Sequence, residues 1–379
     1  MRRGGYLSLI LAGSITGFLW GANQTVLSIY LYRIGLTPAQ VGIVYALSTT
    51  FMTLGALVVG YLADLYDRAR LYYALSFASA VLTALMGLPN PIVVVVSYIS
   101  TSFLNRPTVY SAILGDYAKT RGISNEAFAY SAALSSFFAA LGSSSASITA
   151  LGPAGFRALF LLESLVIVLS ALFIASAGPT STVEHVRPSL SFKELKSYWL
   201  LKRLIPEAVI GLGAGLIIPL FSLWFYLKFH VSVTSLSISY ALSDLTLSVG
   251  TATAPLIAKA LKSRVNSIVV LQSIATAILA AMPLVGIAEI DLALFVARTA
   301  LMNMANPLLS ALINDLVPQE ERGRVFGAWN ALSNIPRALG PLVGGYLMDL
   351  GLVDAPLFMT AGLYASAVIL FKILFNNID

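Results

Sequence analysis

Arg106-Pro107-Thr108-Val109-Tyr110-Ser111-Ala112-Ile113-Leu114-Gly115-Asp116 returns in altered form as Asn306-Pro307-Leu308-Leu309-Ser310-Ala311-Leu312-Ile313-Asn314-Asp315. The prolines are 200 residues apart and the aspartates 199. Downstream, Tyr130-Ser131-Ala132 parallels Trp329-Asn330-Ala331, again at 199. One nearly constant offset in a chain of 379 residues implies two halves built on one plan. Working outward from either copy, the sequence stays apolar. Hydrophobic residues make up 58% of the chain and charged residues 11%, against about 25% in ordinary soluble domains. With a mean hydropathy of +0.85, there is too little charge to cover a water-borne protein of this size.

Twelve runs of roughly 20 apolar residues, the length that crosses a bilayer core as a helix, are separated by short charged segments, the first run over 5–32 and the last over 353–371. The uncharged stretch 4–32 is far longer than a secretory leader requires, which argues against a cleaved signal peptide after Arg2 and Arg3. With both termini cytoplasmic, 17 of the 23 basic residues fall in inside segments, three in outside loops and three within spans. That bias predicts a multi-pass protein of the cytoplasmic membrane with both ends inside. The net charge of +6 is therefore topological; the basic residues form no block, so nucleic acid is not an expected partner. The absence of cysteine excludes disulfides, thiolate metal sites and Cys nucleophiles. His185 and His230 are too few for a histidine-rich metal centre, and no metal or cofactor is expected. No HExxH or GxSxG pattern is present, so an intramembrane enzyme is disfavoured.

Six spans lie in 1–177 and six in 204–379, joined by the polar segment 178–203, which reads as a cytoplasmic linker. Within it, 191–198 has the composition of a short amphipathic surface helix or of a solvated loop. Three further segments carry a family resemblance. Gly60-Tyr61-Leu62-Ala63-Asp64-Leu65-Tyr66-Asp67-Arg68-Ala69-Arg70 looks like the loop 2–3 signature of the major facilitator superfamily, departing from it at Leu65 and Asp67. Glu321-Arg322-Gly323-Arg324-Val325-Phe326-Gly327-Ala328-Trp329-Asn330 is similar to that family's entry into span 11, and Gly340-Pro341-Leu342-Val343-Gly344-Gly345 to its glycine–proline helices. The chain thus resembles a prokaryotic, exporter-like member of that superfamily over nearly its whole length. Span 5, at 141–147, lacks the proline and second glycine that similar drug exporters carry. The resemblance implies an all-α membrane protein, twelve transmembrane helices in two six-helix bundles related by a pseudo-two-fold axis along the membrane normal. It also implies secondary transport by alternating access.

A charge at the bilayer centre costs about 2.5 to 3.5 kcal/mol, so ionisable groups there must be paired or face water. Arg106, Arg298, Arg337, Glu163, Glu207 and Asp244 fall within spans. At the helical rise, Arg106, Asp244 and Arg337 lie about 15 to 22 Å from the inner edge and share a central layer. Asp244 is expected to pair with an arginine, Arg337 being the first candidate, and protonation of Asp244 then switches the pair during turnover; Glu163 and Glu207 are the alternative carriers. Polar residues recur on single helix faces: Ser237, Tyr240, Asp244, Ser248 and Thr251; Asn303, Asn306, Ser310 and Asn314; Asn330, Asn334 and Arg337; Ser102, Arg106 and Tyr110. With Asn23 and Gln24 from span 1, the substrate-binding set is Asn23, Gln24, Arg106, Tyr110, Tyr240, Asn303, Asn306, Asn330, Asn334 and Arg337. Interhelical hydrogen bonding is the alternative for any isolated Ser or Asn. Gly211, Gly213 and Gly215 before Pro219 read as close packing in a bendable helix, and Pro107 and Pro307 as kinks. The family resemblance adds a cytoplasmic gate at Gly60, Asp64, Arg68, Arg70 and Asp116. The expected function is proton-coupled export of a small amphipathic or drug-like compound by a monomer. Uptake or exchange of an organic anion or sugar, with Arg106 and Arg337 as clamps, is the alternative, and a non-transporting sensor or scaffold the third.

Overall fold

The computed structural model describes residues 3–119, 121–177, 197–318 and 321–376, and among them every regular element is helical. The first pass is broken into α1 (Arg3–Ser14) and α2 (Gly17–Arg33). The second and third are α3 (Pro38–Leu65) and α4 (Arg68–Leu85), and the fourth is α5 (Pro91–Phe103) with α6 (Arg106–Lys119). The fifth is α7 (Ser124–Ser145), ending in a 3-10 turn, and the sixth α8 (Pro153–Ser176). A short α9 (Tyr198–Arg203) leads into the seventh pass, α10 (Ile205–Ile217) and α11 (Phe221–Phe229). Then follow α12 (Val233–Leu261), α13 (Arg264–Val285), α14 (Ala288–Leu316), α15 (Arg322–Asp349) and α16 (Ala355–Phe375). Among the described residues, nine helices are long and apolar enough to cross a membrane by length and composition alone. The other three passes, α4, α12 and α15, carry more charge or more polar residues, α15 holding Arg322, Arg324 and Arg337.

Local chemistry sets the ends. Asp67 accepts the Arg70 amide at 2.8 Å and starts α4, Asn90 accepts from Ile92 and Val93 ahead of Pro91, and Ser263 accepts from Asn266 to start α13. His230 closes α11 at φ 53, so this histidine serves as a helix cap. The two expected proline kinks fall in different helical contexts. The fourth pass breaks at Leu104–Asn105, where Asn105 donates to Met52 O at 2.9 Å and accepts from Thr108 Oγ1 at 3.0 Å. At Pro307 the helix runs on as one element, and the equivalent Asn306 bonds within it, to Asn303 Oδ1 at 3.2 Å. Pro219 ends α10 in a 3-10 turn, as a bendable seventh pass requires.

Contacts divide the chain into two compact units: Met1–Leu36, Leu47–Arg187 and Ser232–Asp244 in the first, Thr37–Ala46, Pro188–Val231 and Leu245–Asp379 in the second. The start of α3 thus groups with the second unit and the first two-fifths of α12 with the first. In the first unit the core gathers Leu9, Val59, Tyr72, Val109, Ile113, Leu114 and Ile174. In the second it gathers Leu200, Leu204, Ile268, Leu308, Leu309, Ile313, Val325 and Phe371. Small residues let backbones touch in both. A Cβ on Gly21 of α2 would stand 1.9 Å from Ala139 O of α7, and one on Gly340 of α15 would stand 2.3 Å from the Gly215 carbonyl carbon of α10. Such contacts replace the hydrophobic drive that lipid removes. The expected close packing of Gly211 and Gly215 is thus present against α15, while Gly213 faces Tyr364 of α16.

Candidate functional site

The close approach of α2 and α7 builds the polar centre of the first unit. Gln24 lies one turn beyond Gly21, and Ser143 follows Gly142, whose Cβ would meet Phe18 O at 2.0 Å. Because those backbones touch, the two side chains converge, and Asp244 of α12 sits between them. Gln24 Nε2 donates to its two oxygens at 3.0 and 3.2 Å, and Ser143 Oγ donates to Oδ2 at 2.7 Å. Ser143 Oγ is also 3.1 Å from Gly21 O. Asp244 is 4% exposed. One position before Gln24, Asn23 Nδ2 bridges Leu19 O and Glu163 Oε2 of α8, each at 2.8 Å. Glu163 is 1% exposed, and its other oxygen has no hydrogen-bond partner. Amide and hydroxyl donors therefore hold both carboxylates. Such a donor stabilises a carboxylate less than a guanidinium does and also tolerates the protonated acid, so these hydrogen bonds accommodate either protonation state.

Arg106 begins α6 and is buried beside Tyr72, with its Nη1 lacking a partner. Tyr72 O–H pairs with Ser170 Oγ at 2.5 Å, and Tyr110, one turn beyond Arg106, pairs with Ser131 Oγ at 2.9 Å. Tyr240 is buried on α12 in the same unit. At one end of this unit Arg68 joins Asp64, at 3.5 Å, to Asp116. Gly60 lies 3.6 Å, by its would-be Cβ, from Thr108, and Arg70 is exposed apart from its amide bond to Asp67. The second unit repeats the motif, with Arg264 at the start of α13 pairing Asp315 at 2.5 Å. The aspartate repeat was visible in the sequence. Its arginine partner was not, because Arg264 lies 196 residues from Arg68 and escapes the 199 offset.

In the second unit, Glu207 is buried at the start of α10 and accepts from Trp329 Nε1 at 3.2 Å. The Arg337 charge acts on Glu207. Within the first unit, Asp244 takes the Gln24 and Ser143 hydrogen bonds. Arg298 is 3% exposed; its Nη2 donates to Tyr364 O–H at 3.3 Å and its Nε has no partner. Asn303 and Asn334 donate to Thr299 O and Asn330 O, each within its own helix, so part of the amide stripe is engaged locally. Asn306 and Asn330 are exposed, as is Arg337. The side chains of Ser248 and Thr251 lie outside the described residues, as does 191–196 of the expected linker helix.

The sequence reading passed over Ser143, whose only signal is its place in a run of small residues beside Gly142. It also passed over the cluster in which Lys228 Nζ donates to both Asp354 oxygens, each at 2.9 Å, and to Pro283 O at 2.7 Å. Asp291, whose charge interacts with that pair, is fully buried with both oxygens unbonded. These residues lie at span ends, where a hydropathy reading takes a charge for granted.

The family model of the Major Facilitator Superfamily matches the chain twice, over residues 9–205 and 204–378. The chain belongs to the Major Facilitator Superfamily. The two matches account for the duplicated proline–aspartate segments and for twelve passes in two six-helix bundles, the architecture of a membrane transporter. Solved structures of this superfamily superpose over its full length. A nucleoside transporter, NupG, in a point-mutant form, gives a TM-score of 0.79 at 17% identity, covering 98% of this chain and 100% of that one. A bacterial homologue of the human lysosomal transporter Spinster gives 0.77 at 14%, covering 98% and 96%. A bacterial homologue of the iron transporter ferroportin gives 0.75 at 14%, covering 99% of each. At these identities the likeness is one of fold. No curated protein sequence matches the chain.

Proposed function

We propose that this superfamily member is a secondary active transporter of the cytoplasmic membrane, with both termini cytoplasmic, that moves a small organic molecule by alternating access and couples the movement to protons. The observation that carries the coupling is the grip on Asp244: a carboxylate 4% exposed, bonded by Gln24 and Ser143. A proton arriving there removes a costly buried charge, and the same two side chains accommodate the acid. Glu163 on Asn23 and Glu207 on Trp329 are further carriers of the same construction. Asp244 also ties α12 to α2 and α7, so its protonation weakens a link between passes. We assign substrate contact to Asn23, Gln24, Arg106, Tyr110, Tyr240, Asn303, Asn306, Asn330, Asn334 and Arg337. The Arg68 cluster with Gly60, Asp64, Arg70 and Asp116 is assigned to the cytoplasmic gate. Within this reading the favoured cargo is an amphipathic, drug-like compound moved outward by a monomer, since aromatic and amide groups predominate in the assigned set.

Uptake or exchange of an organic anion is the second reading, favoured by the unpartnered Nη1 of buried Arg106. Nucleoside and peptide transporters share the fold, so cargo class must be measured. Reconstituted vesicles carrying a pH gradient, challenged with labelled amphipathic cations, nucleosides, sugars and organic anions, separate the two. Accumulation of an anion that is abolished in Arg106→Gln, with amphipathic cations ignored, would replace the first reading with the second. The absence of gradient-driven accumulation of any compound would refute proton coupling.

A further inference from the structure

On the second unit a groove of about 520 Å³ runs between α9 and α15. Leu201 and Ile205 form one wall, and Ala331, Leu332, Ile335 and Pro336 the other. Its floor is fixed, since Leu200 and Leu204 on the opposite side of α9 are fully buried in the core. The start of α9 is pinned as well, with the Ser197 amide donating to the buried Glu321 carboxylate at 2.9 Å. The α15 wall from Ala328 to Pro336 spans eight residue rises, roughly 12 Å of helix, and Ile335 on it is 62% exposed.

The rim next to α9 is cationic and aromatic. Lys202 lines the groove, with its ammonium 5.5 Å from the Tyr198 ring, and the Arg203 guanidinium sits 4.9 Å from the Trp199 ring. Tyr198 and Trp199 are 58% and 42% exposed. Among the described residues neither Lys202 nor Arg203 forms an ion pair. Aromatic faces stabilise these cations without using up their N–H donors. Tyr, Trp, Lys and Arg at the end of a membrane-spanning helix mark the headgroup level, and an apolar slot descending from that level has the polarity profile of one phospholipid. Two cations that form no ion pair among the described residues favour a headgroup of net negative charge.

We propose that this groove binds an anionic phospholipid from the leaflet on the side of segment 178–203, its phosphate held by Lys202 and Arg203 and its acyl chain lying along Ala331 to Ile335. The site stands on the second unit alone and is independent of cargo, transport direction and coupling ion. Because α9 joins the linker to α10, the bound lipid fastens the entry to the seventh pass to the membrane surface.

The test is lipid binding to the full-length, delipidated chain by native mass spectrometry, titrated with phosphatidylglycerol or phosphatidylcholine of identical acyl chains. Each surface cation contributes about a factor of five at low salt, so the wild type should prefer phosphatidylglycerol by roughly 10- to 30-fold. Lys202→Gln combined with Arg203→Gln should reduce that preference to about twofold or less. Ala331→Phe, which fills the groove and leaves both cations in place, should weaken both lipids together. Equal affinity for the two lipids in the wild type, or a preference unchanged in the double variant, would overturn the proposal. Displacement of phosphatidylglycerol by inorganic phosphate at equal concentration would show an anion site with no role for the acyl chain, and would also overturn it. Failure of the wild type to bind either lipid would overturn the proposal as well.

Discussion

Asp244→Asn removes a charge without removing a heavy atom. Asp244 accepts from Gln24 at 3.0 and 3.2 Å and from Ser143 at 2.7 Å, while Ser143 Oγ also lies 3.1 Å from Gly21 O. The new amide can accept from Gln24 and donate to Ser143, whose hydroxyl then turns to Gly21 O. These groups keep partners, so the change in this set of bonds is lost charge assistance, about 1 kcal/mol. Asp244→Ala differs, since it strands the Gln24 amide and should cost about 1 to 3 kcal/mol more. In transport, one pH unit is worth about 1.4 kcal/mol per proton, or about tenfold accumulation at equilibrium. The assay uses vesicles reconstituted with wild type or Asp244→Asn, a one-unit pH gradient, and a labelled cargo found by thermal-stabilisation screening. Wild type should accumulate cargo about tenfold per coupled proton. The Asn variant should equilibrate cargo without accumulating it and should still exchange labelled for unlabelled cargo across the membrane. Tenfold accumulation by a folded Asn variant would take Asp244 out of the coupling mechanism and pass the same test to Glu163 and Glu207.

Glu163→Gln should keep the Asn23 bond and stay within about 1 kcal/mol of wild-type stability, whereas Glu163→Ala, stranding the Asn23 amide, should fall by about 1 to 3 kcal/mol in thermal or denaturant unfolding. Asp64→Asn and Arg68→Gln touch a partly exposed charge cluster, worth about 0 to 1 kcal/mol per pair. They should therefore leave the melting temperature nearly unchanged while slowing transport and raising thiol-reagent access to cysteines introduced in the cytoplasmic cavity; unchanged transport and access would remove the gate assignment. Gly340→Val forces a Cβ to 2.3 Å from the Gly215 backbone and should destabilise by about 1 to 3 kcal/mol or more, while Gly362→Ala on α16, with open space around it, should be neutral or raise stability by up to about 1 kcal/mol.

The sequence by itself determined the membrane class, the twelve passes, the duplication and the family, because these are properties of composition and period along one dimension. A bilayer enforces helices about 20 residues long. The repeated proline–aspartate segment could be read from residues 106–116 and 306–315 with no coordinates. Sequence also placed Asn23, Gln24, Glu163 and Asp244 in the membrane as polar groups needing company. Which company each kept was decided only in three dimensions. Gln24 reaches Asp244 because Gly21 and Gly142 let two backbones touch, and Glu207 meets Trp329 because Gly215 and Gly340 do the same elsewhere. Depth along a helix can be counted from residue numbers, whereas the partner across a helix interface depends on rotation and approach, set by the packing of small residues far apart in the chain. For that reason the Gln24 and Ser143 bonds to Asp244, and the α9 groove, came into view only with the tertiary structure.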